Sequence, residues 1–413
     1  MRKLSNLRNI QTFSSFKNSL YRIYYGGMLG QMTSMNMQMI ARSLLIYRMT
    51  DSAAILGGLS LATALPMLFL SLFGGVIADR VQKKYVMIVG QSLSALVSLS
   101  VAILLTLGFI SVDKPDSWWI LALTSVCQGT IMGLMMPSRQ AILPEIVSDD
   151  ELMNAISLNM TGMNALRLFA PAISGFLIDS VGFAAVYYVT TSAYIIAVIF
   201  ISFLPLTSTM TIRGGGALSQ IKEGLQYIRG ETTILLVLLL TLVGVVLSHP
   251  FTQLMPVFTE TVLKVGASEL GILMSVSGGG AIVGSIILAS LPNRKRGLMM
   301  LIGLIILGVS LALFSFSESW ILSLGLIAVV GLGQTVMMAL SNTIIQYYVE
   351  DDYRGRVMSI LMMQMGMTSF STFLAGVLIE GIGAQWAIGG LALLLLFLAV
   401  AAIIFLPRIR NLD

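Results

Sequence analysis

Charge is scarce in this sequence. Charged residues make up 10% of the 413 residues and hydrophobic residues 56%. Average soluble domains carry roughly 25% charged residues, so the composition excludes a soluble enzyme, a disordered protein and a nucleic-acid partner. The single cysteine, Cys127, excludes an intramolecular disulfide. With one cysteine and one histidine, the chain has too few soft ligands for a metal site. We expect neither a metal nor a cofactor.

Long apolar runs dominate what remains. Each membrane-spanning helix needs about 20 apolar residues, and a β-barrel would show alternating polarity instead of continuous runs. The first run is too long for a signal peptide and lacks a small-residue cleavage site after it. The twelve predicted spans are Ile23–Tyr47, Ile55–Ile77, Tyr85–Ile110, Trp118–Leu143, Leu152–Ile178, Phe183–Leu206, Ile234–Thr259, Leu270–Leu291, Leu298–Phe316, Trp320–Ile345, Val357–Ile379 and Trp386–Leu406.

Lys and Arg are distributed unevenly between the loops. With the N-terminus placed inside, inner segments together with Arg139 at the inner end of span 4 hold 19 of the 24 Lys and Arg residues, and outer loops hold three: Arg48, Lys114 and Lys264. This bias follows the positive-inside rule. We therefore expect a multi-pass protein of the bacterial cytoplasmic (inner) membrane with both termini in the cytoplasm.

Three short segments recur in the same order in the two halves of the chain. The matched pairs are 175–182 with 376–383, 147–150 with 349–352, and 53–57 with 267–271. Six spans, a linker and six related spans are typical of a transporter whose halves rock about a midplane cavity. We predict a first bundle over 1–206, a linker with a surface helix over 207–233, and a second bundle over 234–413.

A known family matches these features. The run 74–84, GGVIADRVQKK, follows span 2 and resembles the signature loop of the major facilitator superfamily. The runs 137–145, 167–175 and 354–359 resemble the branch that contains macrolide-efflux proteins and the enterobactin exporter. The resemblance implies an all-α membrane protein of twelve transmembrane helices in two pseudo-symmetric six-helix bundles. It also implies proton-driven export of amphipathic small molecules such as drugs or siderophores.

The sequence departs from neighbouring drug–proton antiporters in two places. Those proteins often carry an Arg in span 4, three residues before a Gln-Gly pair. Here the pair is Gln128-Gly129, and the equivalent position is Ser125. Many relatives also place a carboxylate inside span 1, and this span 1 has none.

The resemblance assigns a gating role to charges at the inner ends of spans 2 and 11. Asp79 would face the N-terminus of span 11 when the inner side is closed, because unpaired N–H groups and the helix dipole favour a carboxylate there. Arg80 follows Asp79, and Arg354 and Arg356 flank the start of span 11. The alternative is ordinary positive-inside loop charge.

Polar side chains follow one face of span 1, at Gln31, Ser34, Gln38 and Arg42. A polar stripe has little reason to face lipid, so we predict that it lines the cavity and contacts substrate. The alternative is interhelical hydrogen bonding without substrate contact. Further predicted substrate-binding residues are Gln128 in span 4, Gln253 in span 7, and Gln334 and Asn342 in span 10.

Four further residues could carry charge or protons. Arg167 lies near the middle of span 5, where an Arg facing hydrocarbon costs at least ~2.5 kcal/mol. It either pins span 5 or, together with Arg42, makes the cavity electropositive and favours anionic or zwitterionic amphiphiles. His249, the one histidine, precedes Pro250 and suits a proton relay. Glu260 and Asp179, near outer helix ends, are the other proton-coupling candidates.

Several functions compete within this frame. The leading prediction is a monomeric proton antiporter that exports amphipathic compounds. The alternatives are a siderophore-specific or lysophospholipid transporter and a facilitator without proton coupling. A membrane-embedded enzyme would need a nucleophile–base pair or a metal cluster, which this composition disfavours. The remaining alternative is a transporter-like sensor that does not transport a substrate.

Overall fold

The computed structural model describes residues 13–206, 217–292 and 294–412, except for some side chains within helices. Those excepted side chains are at positions 72, 76, 78, 79, 149, 217–222, 351, 352, 362 and 365. The predicted N-terminal surface tail and the Gly-rich part of the linker lie mostly outside the described residues. Every regular element in the described part is helical.

Fifteen α-helices are present among the described residues. They are α1 Ser19–Thr50, α2 Ala53–Arg80, α3 Lys83–Thr106, α4 Trp118–Ile146, α5 Asp149–Ser180, α6 Phe183–Ser202, α7 Ala217–Gly230, α8 Thr232–Ser248, α9 Pro250–Phe258, α10 Ala267–Ser290, α11 Arg296–Ser315, α12 Trp320–Tyr348, α13 Asp351–Ile382, α14 Ala384–Phe405 and α15 Pro407–Arg410.

Local sequence explains where several helices begin. The Asn18 side chain accepts hydrogen bonds from the first N–H groups of α1, and the Ser52 side chain does the same for α2. Gly182 and Gly383, the last residues of the first matched pair of segments, have φ of 105° and 83°. Glycine adopts this region without steric cost, so each lets the chain reverse between α5 and α6 or between α13 and α14.

Predicted span 7 is interrupted in the structure. Helix α8 ends at Ser248, His249 lies between the helices, and Pro250 begins α9 because proline cannot donate the next helical hydrogen bond. A π-turn over Thr259–Leu263 completes the span. Predicted span 2 is also longer than expected, since α2 continues to Arg80 and includes the position of Asp79.

Ten helical segments in the described part of the chain are long and apolar enough to cross a membrane. The α8–α9 segment counts once among them. Helices α1 and α5 have 32 residues each and are more polar, but they pack within the same assembly. Together these helices form two six-helix bundles, α1–α6 and α8–α14.

The two bundles repeat the same packing. Helix α2 packs on α4 as α10 packs on α12, and α3 packs on α6 as α11 packs on α14. Between the bundles, α5 packs on α10 and α13 packs on α2, which is again the same pair of positions in the two halves. The matched sequence segments therefore correspond to a structural pseudo-twofold relation.

The helix ends define two sides of the molecule. We call the side where α1 begins and α14 ends the termini side, and the opposite side the distal side. The predicted surface helix is α7, which packs against α13 on the termini side. Tyr227 of α7 stacks on Tyr353 of α13 with ring centroids 4.2 Å apart. Ile228 is buried in this contact region, whereas Leu225 is exposed.

Candidate functional site

A cavity of about 270 Å³ lies between the two bundles. Helix α2 supplies Ser60, Thr63, Ala64, Met67 and Leu68 to its wall, and α13 supplies Gly366 and Ser369. Two of the predicted substrate-binding residues complete the lining: Arg42 from α1 and Gln253 from α9. The cavity wall therefore carries a cation from the first bundle, Arg42, and an amide from the second, Gln253.

Arg42 has a hydroxyl neighbour on α4. Its Nη1 donates a hydrogen bond of 3.2 Å to the Ser125 hydroxyl, which in turn donates to the carbonyl of Leu121 at 2.7 Å. Ser125 is the position where neighbouring antiporters carry an arginine. The Ser125 hydroxyl is a neutral acceptor, whereas an arginine at this position would be a second cation and would repel the Arg42 guanidinium.

His249 lies at the break between α8 and α9, one helical turn before Gln253. Its Nδ1 atom is buried and has no hydrogen-bond partner within the described residues. Arg167 of α5 lies within electrostatic range of His249. The Arg167 residue itself is exposed, and its carbonyl oxygen packs against Gly278 of α10. The positive charge of Arg167 therefore acts on His249 from the other bundle.

Four predicted cavity residues are buried inside the first bundle. Gln31 accepts a hydrogen bond of 3.4 Å from Gln91 of α3, and Ser34 donates one of 2.9 Å to the Thr190 carbonyl of α6. Gln38 of α1 is also buried. None of these three lines the cavity described above. The contacts of Gln31 and Ser34 are the interhelical bonds that we named as the alternative, and their contact with a substrate stays a prediction.

The fourth is Gln128 on α4. Its Nε2 donates to the Ser94 hydroxyl of α3 at 3.2 Å and to the Tyr194 hydroxyl of α6 at 3.4 Å. Its Oε1 is buried without a partner among the described residues. Gln128 thus ties α4 to α3 and α6, and it is absent from the cavity lining.

The two predicted residues of α12 lie elsewhere in the second bundle. Asn342 donates 3.2 Å to the Met338 carbonyl and lines a separate pocket of about 20 Å³, large enough for one water. Gln364 of α13 lines the same pocket. Gln334 is half-buried on α12. Neither Gln334 nor Asn342 contributes to the cavity between the bundles.

The predicted proton-coupling carboxylates join the bundles on the distal side. Glu260 pairs with Arg48 of α1 at 2.7 Å. Asp179, near the end of α5, accepts hydrogen bonds from the backbone N–H groups of Ala267 at 3.3 Å and Ser268 at 2.7 Å, in the first turn of α10. From sequence we expected such groups near outer helix ends, without the contacts to the other bundle.

Glu380 makes the related contact near the end of α13. Its carboxylate accepts hydrogen bonds from the Ser52 hydroxyl and from the backbone N–H of Ala54, the latter at 3.1 Å, at the start of α2. From sequence we expected Glu380, like Asp179 and Glu260, to be a titratable group near an outer helix end, without a contact to the other bundle. The repeated sequence segments could have indicated this contact. In the structure, segment 175–182 packs on the start of segment 267–271, and segment 376–383 packs on the start of segment 53–57.

Glycines bring these helices together. A Cβ at Gly175 would overlap the backbone carbonyl of Ala267, and a Cβ at Gly376 would overlap that of Ala53. Among the side chains whose contacts are described, the polar contacts between the bundles lie in the distal half. The structure is therefore closed on the distal side.

The predicted gating charges lie on the termini side. The Asp79 side chain lies outside the described side chains, whereas Arg80 is exposed at the last turn of α2. Arg354 is exposed near the start of α13. Arg356 pairs with Glu223 of α7 at 3.1 Å. Whether these charges switch partners during transport stays a prediction.

One buried ion pair also lies on this side. Lys83, at the first position of α3, pairs with Glu145 of α4 at 2.7 Å, and the Lys83 side chain is only 2% exposed. Lys83 belongs to the signature run after α2. The pair ties α3 to α4, so it holds that run against the first bundle.

Curated relatives resemble the chain over most of its length. It is 25% identical over 381 residues to a staphyloferrin A transporter of Staphylococcus aureus, covering 89% of each chain. It is 27% identical over 370 residues to the multidrug efflux pump Tap of Mycolicibacterium fortuitum, covering 86% of this chain and 87% of that one. It is 20% identical to macrolide efflux protein A of Streptococcus pyogenes, covering 85% and 86%.

Solved structures share the fold at lower identity. A POT family transporter in complex with 5-aminolevulinic acid superposes with a TM-score of 0.72 at 13% identity, covering 94% of this chain and 96% of that one. A bacterial homolog of the lysosomal transporter Spinster in an inward-facing conformation gives 0.71 at 13% identity, covering 95% and 96%. The family model described as Major Facilitator Superfamily matches residues 25–370 and 267–412. The chain is therefore a multi-pass membrane protein that belongs to the Major Facilitator Superfamily.

Proposed function

We propose that this protein is a secondary active exporter of amphipathic small molecules that works by alternating access. The observation that carries the proposal is the cavity whose wall comes from both bundles, with Arg42 on one side and Gln253 on the other. Because a rocking motion would separate these two walls, the same motion would release a bound molecule. The distal contacts of Asp179 and Glu380 would then hold one of the two end states.

The direction of transport rests on loop charge and on likeness. The excess of Lys and Arg on the termini side supports a cytoplasmic location for that side in a bacterial cell. In that orientation, the side closed by the contacts of Asp179 and Glu380 faces away from the cytoplasm. The relatives named as a multidrug efflux pump and a macrolide efflux protein support export as the function.

We further propose that protons are the coupling ion. His249 lies at the cavity end of α8, has a buried nitrogen without a described partner, and is within electrostatic range of Arg167. Histidine is the side chain whose unperturbed pKa lies nearest to physiological pH, and a positive charge on His249 would be repelled by Arg167. Protonation of His249 would therefore favour separation of the bundles at this point.

A siderophore-specific exporter is the second candidate function. The observation that favours it is the likeness to the staphyloferrin A transporter over 89% of both chains. The general exporter and the siderophore exporter share the same cavity and the same coupling groups. They differ in how many unrelated molecules the cavity accepts.

Proteoliposomes test the proposed function directly. Purified protein is reconstituted into vesicles, a pH gradient is imposed, and accumulation of the neutral fluorescent amphiphile phenylnaphthylamine is followed. We expect saturable accumulation on the acidic side that stops when nigericin dissipates the gradient. Equal flux with and without the gradient would identify an uncoupled facilitator, and binding of the probe without flux would identify a sensor. Either result would overturn the proposal.

A further inference from the structure

The space between the bundles contains cationic side chains without a balancing acid. Arg42 lines the cavity, and Arg167 lies across the seam from His249. The cavity lining contains no Asp or Glu. Described carboxylates near the bundle interface are engaged elsewhere, such as Glu260 with Arg48 and Asp179 with the start of α10.

The hydrogen-bonding capacity of these two arginines is largely unused. A guanidinium has five N–H donors in a planar fork. Among the described contacts, Arg42 uses one donor, in its hydrogen bond to the Ser125 hydroxyl. This hydroxyl is a neutral acceptor, and the Ser125 side chain is fully buried. Arg167 makes no hydrogen bond or ion pair with the described residues. Arg42 is half-buried at the cavity with one neutral partner, which is costly for a charge, so a ligand that supplies an anion would be stabilised beside it.

The rest of the cavity wall fits the other half of such a ligand. Met67 and Leu68 present apolar surface on the same wall as Ser60 and Thr63. A flexible thioether adapts to varied apolar shapes. The cavity is therefore amphipathic, since its wall combines the Arg42 cation and polar side chains with apolar side chains.

We propose that the ligand of this site is an amphiphile that bears a carboxylate, sulfonate or similar anionic group, which Arg42 and Arg167 bind through their guanidinium forks. Bidentate hydrogen bonds from arginine to a carboxylate or sulfonate combine charge with a defined geometry. The same two charges repel cationic amphiphiles. This inference rests on the proposed function in taking the cavity as the transport site, and it names the class of substrate.

A matched pair of fluorescent probes tests the inference by binding alone. Anilinonaphthalene sulfonate and phenylnaphthylamine share an aromatic body, and only the first carries a sulfonate. Binding is measured to the full-length protein in phosphatidylcholine nanodiscs, with the signal of empty nanodiscs subtracted, and ethidium serves as a cationic probe. We expect wild-type protein to bind the sulfonate at least about tenfold more tightly than the neutral probe.

Variants separate recognition from folding. Arg42→Ala and Arg167→Ala should each weaken sulfonate binding by about tenfold or more while neutral binding changes by less than about threefold, because a charged hydrogen-bonded pair is lost. Arg167→Lys keeps the charge without the fork and should fall between. Arg410→Ala removes one exposed positive charge on α15, far from the cavity, and should leave both affinities unchanged.

The ratio of the two affinities decides the result. Equal losses for both probes would show that the arginines are structural and would overturn the inference, as would wild-type protein that prefers ethidium or the neutral probe. Addition of phosphatidylglycerol to the nanodiscs identifies the source of the anion: competition with the sulfonate indicates a lipid headgroup, and no competition indicates a soluble molecule. Failure of this test leaves gradient-driven flux of the neutral probe intact, so the two proposals fail separately.

Discussion

Asp179 and Glu380 make the same contact in the two halves of the molecule. Each carboxylate, at the distal end of its helix, accepts a backbone N–H from the first turn of a helix in the other bundle. The favourable interaction of a carboxylate with a helix N-terminus is worth about 0.3–1 kcal/mol when exposed and up to about 2 kcal/mol when partly buried. Asp179 and Glu380 thus hold the bundles together at two symmetry-related seams, the first between α5 and α10 and the second between α13 and α2.

Loss of both carboxylates should open the distal side. In Asp179→Asn/Glu380→Gln we expect a loss of about 1–2 kcal/mol, which shifts the balance between end states by roughly five- to thirtyfold. The measurement is the rate at which a membrane-impermeant maleimide labels Ser369→Cys from the distal side in a Cys127→Ser background. The rate should rise in the double variant.

A carboxylate in the first turn of α10, the helix that Asp179 contacts, provides the matched control. Glu269 accepts the backbone N–H of Gly266 within its own bundle, at 3.0 Å. Glu269→Gln should therefore leave the labelling rate of Ser369→Cys near its starting value. An equal increase in this control would mean that local fraying of α10, and not separation of the bundles, exposes the cavity.

The ion pair between Arg48 and Glu260 should hold the bundles together through the attraction of opposite charges. Arg48 and Glu260 have side chains that are 27% and 28% exposed, so screening by water limits the pair to about 0.2–1 kcal/mol. Arg48→Glu and Glu260→Arg should each speed labelling of Ser369→Cys from the distal side, because each places like charges together. The combined reversal should bring the rate back toward that of the parent. No recovery in the double variant would mean that the pair does not hold the bundles together.

Close packing at the glycines should be intolerant of side chains. Gly376→Val places atoms where the Ala53 carbonyl lies, so we expect destabilisation of about 1–3 kcal/mol and a lower thermal midpoint in detergent. Gly381, on the same helix, has open space around its Cβ position. Gly381→Val should change the midpoint far less, and similar losses in both variants would assign the effect to helix propensity instead of packing.

His249 and Glu260 should differ in how they affect coupling. If His249 carries the proton, His249→Gln abolishes accumulation driven by a pH gradient but retains exchange of substrate across the membrane without a gradient. Glu260→Gln removes the partner of Arg48 and should retain gradient-driven accumulation at a reduced rate. Both modes of transport are measured in the same proteoliposomes. Unchanged proton dependence in His249→Gln would remove His249 from the coupling mechanism.

Much of the fold could be predicted because hydrophobic runs and loop charge are local signals. The break before Pro250 and the surface helix α7 also follow from local chemistry. The end of α2 was placed too early because residues 78–80 are polar or small, although the helix continues through them to Arg80. Charged residues at a span end do not by themselves terminate a helix.

The orientation of polar side chains was harder to predict. Helical spacing places Gln31, Ser34 and Arg42 on one face, but a helix packed on three neighbours has several buried faces. Ser34 finds its acceptor on α6 and Arg42 finds its acceptor on α4. The sequence alone contains no record of which neighbour each side chain meets, since that depends on the tilt and rotation of α1.

The most direct test of the account measures both sides of the molecule at once. Spin labels at Asp116 and Glu318, two exposed distal positions, report one distance, and labels at the exposed Gln140 and Arg294 report the distance on the termini side. The proteins carry Cys127→Ser and are studied in nanodiscs across a pH series, with and without anilinonaphthalene sulfonate. Alternating access predicts that the distal distance lengthens while the termini-side distance shortens, and that the same fraction of molecules shows both changes. Two distances that stay fixed, or that change in the same direction, would contradict it.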